Sequence, residues 1–379
     1  MIILGGILLV FCCVFVGCLF LQLLFYWLFF ARFAFYKQKG EQKKAVVPVS
    51  VIICARNESG YLQQFLPSVL TQDYSDYEVI VVNDNSTDDS EDVLREMQQY
   101  HKHLQVVTVS TQFRKENDRK LALAVGIKSA KNDIVLITGA DCCPCSSSWI
   151  SEMVDCTSEK DSMVLGYYSY KEKKGLLNKL IRFDTIYTAL CYFSFTLIGR
   201  AYMGMGKNML LSKKMFLNDS NYLSSYKTNS ENNDLPIYNM AKQKNISISY
   251  KQDSQIISVF RYESFAYWLR DKQKSFHSYR FYKFANRFLL KLYGFTGFLF
   301  YISFIISLVL AANNVFVLGI LAALFCLRLL SQWVVFAKSC NKLNEKKLIR
   351  YIPLFDIFFV LVMPFVRGIL FFKRGDKWK

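Results

Sequence analysis

The chain has 379 residues, 53% of them hydrophobic and 16% aromatic, and a formal net charge of +17. That charge does not read as a nucleic-acid footprint. Lys37, Lys39, Lys43 and Lys44, and again Lys342, Lys346, Lys347 and Arg350, border apolar runs where they suit anionic lipid headgroups, and no nucleic-acid recognition motif accompanies them. The cysteines do not form a disulfide framework: Cys12, Cys13, Cys18, Cys191 and Cys326 lie in apolar runs, Cys54 lies in a strand-like one, and Cys142, Cys143 and Cys145 lack the paired spacing of a zinc site.

Met1–Ala31 carries no charged side chain and exceeds the roughly 20 residues that cross a bilayer. Its basic residues follow the apolar run, so residues 1–36 read as a retained anchor with the next domain in the cytoplasm, not as a cleaved signal. From Val46 the pattern changes. Val49–Cys54, Glu78–Val82, Leu104–Val109 and Ile134–Thr138 are expected strands; Leu62–Leu70, Asp88–Gln99 and Leu121–Ala130 are expected helices, with Ser86 placed to cap the second. Such alternation predicts an α/β domain over residues 46–260, a mostly parallel sheet covered on both faces. Residues 261–287 are basic and aromatic and are expected to lie on the bilayer as an amphipathic segment. Within 288–379, Phe288–Ala312 and Val315–Phe336 are long enough to span, and the basic loop Lys338–Arg350 should face the cytoplasm. Tyr351–Phe372 holds Pro353, Asp356, Pro364 and Arg367, which are costly at bilayer depth, and reads as a re-entrant or interfacial helix, with a third span as the alternative.

Ligands of parallel sheets bind beyond the carboxyl ends of the strands. Three expected strands end in acidic stretches: Ala55-Arg56-Asn57-Glu58, Asn83-Asp84-Asn85-Ser86-Thr87-Asp88, and Thr138-Gly139-Ala140-Asp141-Cys142. Glu58, Asp84 and Asp141 are therefore expected around one crevice. There a carboxylate can accept hydrogen bonds from a base or ribose, or hold a divalent cation against a diphosphate. Each taken singly also reads as a turn residue or helix cap.

Val49–Glu58, Tyr77–Asp88 and Ile134–Cys142, with Tyr202–Asn208 further on, resemble the family-2 glycosyltransferases of the GT-A fold, membrane-bound bacterial members in particular. The resemblance covers about residues 48 to 285 and extends to the flanking transmembrane helices. It implies that Glu58 and Asp84 grip the nucleoside of a nucleotide-sugar donor. It implies too that Asp141 is the metal-facing member of an Asp-x-Asp element whose first position is Gly139 here, with Mg²⁺ or Mn²⁺ as cofactor. Arg119 and Lys120 stand where the family has a Lys; they contact donor phosphates or simply solvate a helix start.

The acceptor side departs from the family pattern. Ser230-Glu231-Asn232-Asn233-Asp234-Leu235 puts Asn232 at the usual base position, and an amide cannot take a proton, so Glu231 or Asp234 is the expected catalytic base. Ser230 capping a helix with acidic residues in its first turn is the other reading. Trp268–Ser275 keeps the basic character of the family's Gln-x-x-Arg-Trp element but lacks Gln, Arg and Trp at their places. The resemblance implies an inverting transfer to a membrane-associated or lipid-linked acceptor in glycan or polysaccharide synthesis at the cytoplasmic face of a bacterial inner membrane. A degenerate binding protein of the same fold and a processive polysaccharide synthase are the alternatives.

Overall fold

The computed structural model of the chain describes residues 2–38, 46–109, 119–157, 162–218, 234–235 and 245–366. The chain divides into two compact units, Lys37–Tyr282 and the paired segments Met1–Tyr36 and Lys283–Lys379.

Among the described residues, the unit Lys37–Tyr282 holds twelve strands: β1 (Val49–Ala55), β2 (Tyr77–Asn83), β3 (Leu104–Thr108), β4 (Ile134–Gly139), β5 (Cys142–Pro144), β6 (Met163–Leu165), β7 (Tyr168–Tyr170), β8 (Gly204–Met205), β9 (Met209–Ser212), β10 (Asp234–Leu235), β11 (Ile246–Ile248) and β12 (Ile256–Ser258). The main sheet has the order β11-β6-β9-β4-β1-β2-β3. β1 runs parallel to β2 and β4, β2 to β3, and β11 to β6, while β9 is antiparallel to both β4 and β6. The α/β expectation holds, and the four expected strands are its centre and one edge. Central β1 and β4 are buried along their whole length, as continuous β-branched runs covered on both faces should be. The helix Arg119–Ser129 approaches this sheet closely at Gly126, where a Cβ would lie 2.7 Å from Ile52 Cγ2 and 2.8 Å from Val82 Cγ2.

Register sets the functional edge. Cys54 pairs with Gly139 and Ala55 with Asn83, so the chains leading to Glu58, Asp84 and Asp141 leave neighbouring strands on one side. A smaller sheet, β5-β12-β7, continues from there, with Ser258 opposite Cys142.

The β1 and β2 exits are laced together. Asn57 and Asn85 occupy left-handed backbone at φ 52° and 53°, a conformation asparagine tolerates better than most residues. The Asn57 N–H donates to Ser86 Oγ at 3.0 Å, and Asn57 Oδ1 accepts the Thr87 N–H at 2.7 Å. Ser86 thus joins two loops and does not cap the helix. That helix begins later, at Ser90, because Asp88 takes over the first turns: its Oδ1 accepts the Ser90 N–H at 3.2 Å and Oγ–H at 2.6 Å, while Oδ2 accepts the Ser59 N–H at 3.0 Å. One carboxylate therefore serves the starts of Ser59–Leu70 and Ser90–Tyr100 together.

The other unit carries helices Ile2–Leu24, Phe284–Leu310 and Val315–Lys342. The last runs past the expected end at Phe336 into the basic stretch, and a 3₁₀ turn, Lys346–Tyr351, follows. Among the described residues four segments, Gly5–Ala34, Phe284–Leu310, Val315–Lys342 and Lys346–Val366, are long and apolar enough to cross a membrane. The costly Asp356 has a partner that the hydropathy pattern concealed. Arg328, fully buried, donates from Nη1 to Asp356 Oδ2 at 2.9 Å and to the Tyr301 hydroxyl at 3.2 Å, and from Nη2 to Gln22 Oε1 at 3.3 Å. The Tyr301 hydroxyl donates to Asp356 Oδ2 at 2.6 Å.

Removing one partner of a buried ion pair strands the other charge. Arg328→Leu or Asp356→Leu should each destabilise the purified protein by about 3–5 kcal/mol, and the double variant by less than either; thermal unfolding in detergent measures both. Burial pushes the Asp88 carboxyl up, but the hydrogen bonds from Ser90 and Ser59 outweigh it and bring it down to about 2. Its stabilising contribution is thus complete above its unfolded value of 3.8 and lost as pH falls through about 2. Asp88→Ala should cost about 1–2 kcal/mol at pH 7 and flatten that part of the acid-unfolding profile.

Candidate active site

Asp141, two residues beyond β4 and 4% exposed, is the hub of the site. Its Oδ2 accepts from Lys207 Nζ at 2.8 Å and from Ser258 Oγ at 3.0 Å, and lies 3.1 Å from Arg261 Nη2; its Oδ1 accepts from Cys142 Sγ at 3.3 Å. Burial, with the Asp141 charge adding to it, pushes the Cys142 thiol up to about 12, so it remains a proton donor.

Each partner is delivered by a different stretch of backbone. Lys207 sits in the turn between β8 and β9, which the Asn208 N–H closes onto Met205 O at 2.9 Å and Thr138 Oγ1 anchors by donating to Lys207 O at 3.0 Å. Asn208 is itself fully buried. Its amide donates to Tyr167 O and Ser254 O, both at 2.8 Å, and its Oδ1 accepts from Trp149 Nε1 at 3.1 Å. β12 brings up Ser258, and the Val259 N–H donates to Asp141 O at 3.0 Å, which fixes the register for Arg261 two residues later. Ser258 Oγ also lies 2.5 Å from Lys207 Nζ.

Arg261 ties two of the expected acids together. Its Nη2 donates to Glu58 Oε1 at 2.6 Å as well as facing Asp141, and its guanidinium carbon stands 4.5 Å from the centre of the Tyr61 ring. Glu58 and Tyr61 lie at the start of the same helix. Burial alone would push the Lys207 and Arg261 groups down, yet the Asp141 carboxylate outweighs it for both, joined by Glu58 for Arg261, and holds them above their ordinary ranges. Both are cations at any physiological pH.

Asp84 is 5% exposed at the end of β2, its N–H donating to Ala55 O at 2.9 Å, which places its backbone beside the β1 exit. Arg119 and Lys120 open the helix Arg119–Ser129, but their side chains lie outside the described residues. Glu231 lies outside them altogether. Asp234 is on β10, its backbone opposite Met205, two residues before Lys207; its side chain is not described. Beside the cluster, a cavity is lined by Tyr168, Tyr170, Asp184, Tyr262, Asp271 and Lys272. Its charged groups have polar partners: Lys272 Nζ is 2.5 Å from Asp184 Oδ2, and the Tyr262 hydroxyl donates to Asp271 Oδ2 at 2.6 Å.

The residues around Asp141 do not fit the expected divalent cation. Both oxygens of its carboxylate are engaged, and Gly139 offers no second carboxylate. A divalent ion at about 4 Å from the Lys207 ammonium would be repelled by roughly 8 kcal/mol at an effective dielectric of about 20. Among the described residues no group of three or more His, Cys, Asp or Glu is placed to hold a metal.

Arg261 is a functional candidate that the sequence motifs do not mark, whereas Lys207 lies within the Tyr202–Asn208 stretch, which by itself assigns it no role. The available signal was a short β-branched pair, Ile256-Ile257, followed by Ser258 and, three residues on, an arginine.

Residues 50–220 match the family described as Glycosyl transferase family 2. A dolichyl N-acetyl-α-D-glucosaminyl phosphate 3-β-D-2,3-diacetamido-2,3-dideoxy-β-D-glucuronosyltransferase of Methanococcus voltae is 33% identical over 98 residues, 25% of this chain and 30% of that protein. The poly-β-1,6-N-acetyl-D-glucosamine synthase of Staphylococcus epidermidis is 31% identical over 112 residues, 30% of this chain and 25% of that protein. The chain thus spans less than a third of the length of either relative. Among solved structures, the mannosyltransferase PcManGT of Pyrobaculum calidifontis, in complex with GDP-Man and Mn²⁺, superposes with a TM-score of 0.56 at 16% identity, over 94% of this chain and 99% of that one, a likeness of fold. Residues 50–220 of this chain, on a mostly parallel sheet of the GT-A type, are thus similar to glycosyltransferase family 2.

Proposed function

We propose that the chain is an inverting glycosyltransferase that moves a sugar from a nucleoside-diphosphate donor to a lipid-linked or membrane-embedded acceptor in glycan or polysaccharide synthesis. One observation carries this reading: Glu58 and Asp141, from separate strand ends, meet on Arg261 at the carboxyl edge of the sheet, with Asp84 on the adjacent strand. The family match and the names of the relatives support it.

In this reading Glu58 and Asp84 hold the nucleoside, and the diphosphate lies toward Asp141 and Arg261, with Arg119 or Lys120 assisting. Glu231 or Asp234 takes the proton of the acceptor hydroxyl, whose oxygen bonds to the anomeric carbon from the face opposite the leaving group. The bond from that carbon to the diphosphate oxygen breaks, the nucleoside diphosphate leaves with the electron pair, and the configuration inverts. The position of the Asp234 backbone opposite Met205, close in sequence to Lys207, favours a base near the donor end. The mannosyltransferase PcManGT is in complex with Mn²⁺, but the residues around Asp141 do not fit such an ion, and no step of this transfer runs through one. The four apolar segments and the basic residues beside them support a membrane location with the transferase unit on the cytoplasmic side of a bacterial inner membrane, and the aromatic, basic helix Phe265–Ser278 supports contact with lipid headgroups.

A processive synthase is a second reading, favoured by the Staphylococcus relative and the four apolar segments. Product length separates the two: one added sugar excludes it. A degenerate binding protein, suggested by Gly139 and Asn232, is excluded if the wild-type chain turns over a donor and either Glu231→Gln or Asp234→Asn abolishes that turnover.

A thermal-shift panel of nucleoside diphosphates and nucleotide sugars on the detergent-purified chain should give one stabilising base class. Asp84→Asn should weaken that ligand roughly 10- to 100-fold. One of Glu231→Gln and Asp234→Asn should abolish transfer while leaving donor binding intact. Absence of binding across the whole panel removes the enzymatic reading.

A further inference from the structure

Resting on that reading, we propose that Arg261 supplies the positive charge against the donor diphosphate, so that donor binding and transfer by this chain need no divalent cation. The place where a cation would bind is already filled by protein cations. Lys207 Nζ and Arg261 Nη2 stand 2.8 Å and 3.1 Å from the same Asp141 oxygen, and Gly139 removes the second carboxylate that would compete for an ion.

The charge count is preserved by this substitution. Glu58 and Asp141 against Lys207 and Arg261 sum to zero, the balance that a divalent ion strikes on two carboxylates. What differs is the geometry offered to phosphate. A guanidinium is a planar fork matched to two oxygens of a phosphate, and it stays charged at every working pH. Among the described residues only Nη2 of Arg261 makes a hydrogen bond, so Nη1 and Nε retain their donors. Its side chain is 36% exposed, whereas that of Lys207 is 5% exposed and committed to Asp141 and Ser258. Arg261 is therefore the member of the cluster that a ligand can reach. Glu58, Asp141 and the Tyr61 ring hold its guanidinium in place before the ligand arrives, which lowers the cost of ordering a long side chain on binding.

The test is titration calorimetry of the full chain in detergent with UDP and with GDP, each in EDTA, in Mg²⁺ and in Mn²⁺, followed by transfer assays under the same conditions. The expected result is one nucleotide bound with affinities within about threefold across the three conditions, and turnover surviving EDTA. Arg261→Ala should weaken the diphosphate about 30-fold in EDTA while changing affinity for the bare nucleoside less than threefold, and Arg261→Lys should recover part of the loss. Binding or turnover that needs Mg²⁺ or Mn²⁺ in the wild-type chain overturns the proposal and leaves the glycosyltransferase reading standing, without depending on whether any variant folds. Undiminished diphosphate affinity in Arg261→Ala overturns it as well. If neither nucleotide binds under any condition, the proposal falls, and the reading beneath it falls with it when the wider nucleotide panel is silent as well.

Discussion

The structure of the unit Lys37–Tyr282 depends on keeping one carboxylate charged where water hardly reaches it. Asp141 is 4% exposed, and an ionised carboxylate in that position is tolerated only with partners for its lone pairs. Those partners come from far along the chain: Lys207 is 66 residues away and Ser258 is 117. Meeting that demand organises the less regular half of the unit. The β8–β9 turn exists to present Lys207, Asn208 spends its buried amide fixing that turn, and β12 docks on β5 so that Ser258 and Arg261 arrive together. Fold and candidate chemistry share one electrostatic requirement, which explains why a charged cluster lies against a buried sheet end.

The opposite wall of the site is held by a cheaper device. The β1 and β2 exits are short polar loops crossed by hydrogen bonds between Asn57, Ser86, Thr87 and Asp88 and neighbouring backbone N–H groups. Two asparagines accept left-handed backbone so that these groups can face one another. The result fixes the start of Ser59–Leu70, and with it Glu58 and Tyr61, against which Arg261 rests.

The first half of the unit was legible because its strands are continuous β-branched runs and its acids follow them directly. Val49, Glu78, Leu104 and Ile134 each lie within one residue of an observed strand start. The second half was not. β6, β7, β11 and β12 are three-residue strands, too short for a period to register, and β9 enters the sheet antiparallel between strands that precede it in sequence. Ser86 as a cap followed from residue type alone, and the tertiary contact with Asn57 claimed its hydroxyl instead. Arg261 escaped notice because its role comes from β12 pairing with β5, a contact between segments more than a hundred residues apart. Arg328 escaped because one arginine hardly alters the hydropathy of Val315–Lys342, and its counter-charge lies in a different segment.

That last pairing constrains how the protein is made. Arg328 leaves the ribosome 28 residues ahead of Asp356, while Gln22 and Tyr301 have already been synthesised. An unaccompanied arginine at the middle of a nascent apolar helix opposes partition into lipid by about 3 kcal/mol on insertion scales. On the proposed membrane location, Val315–Lys342 would then have to linger at the insertion machinery, or settle first on the glutamine and tyrosine of earlier helices, until its carboxylate follows. In that setting, assembly of this unit is cooperative across helices, with the segment that carries Asp356 completing a charge balance that its predecessors cannot reach alone.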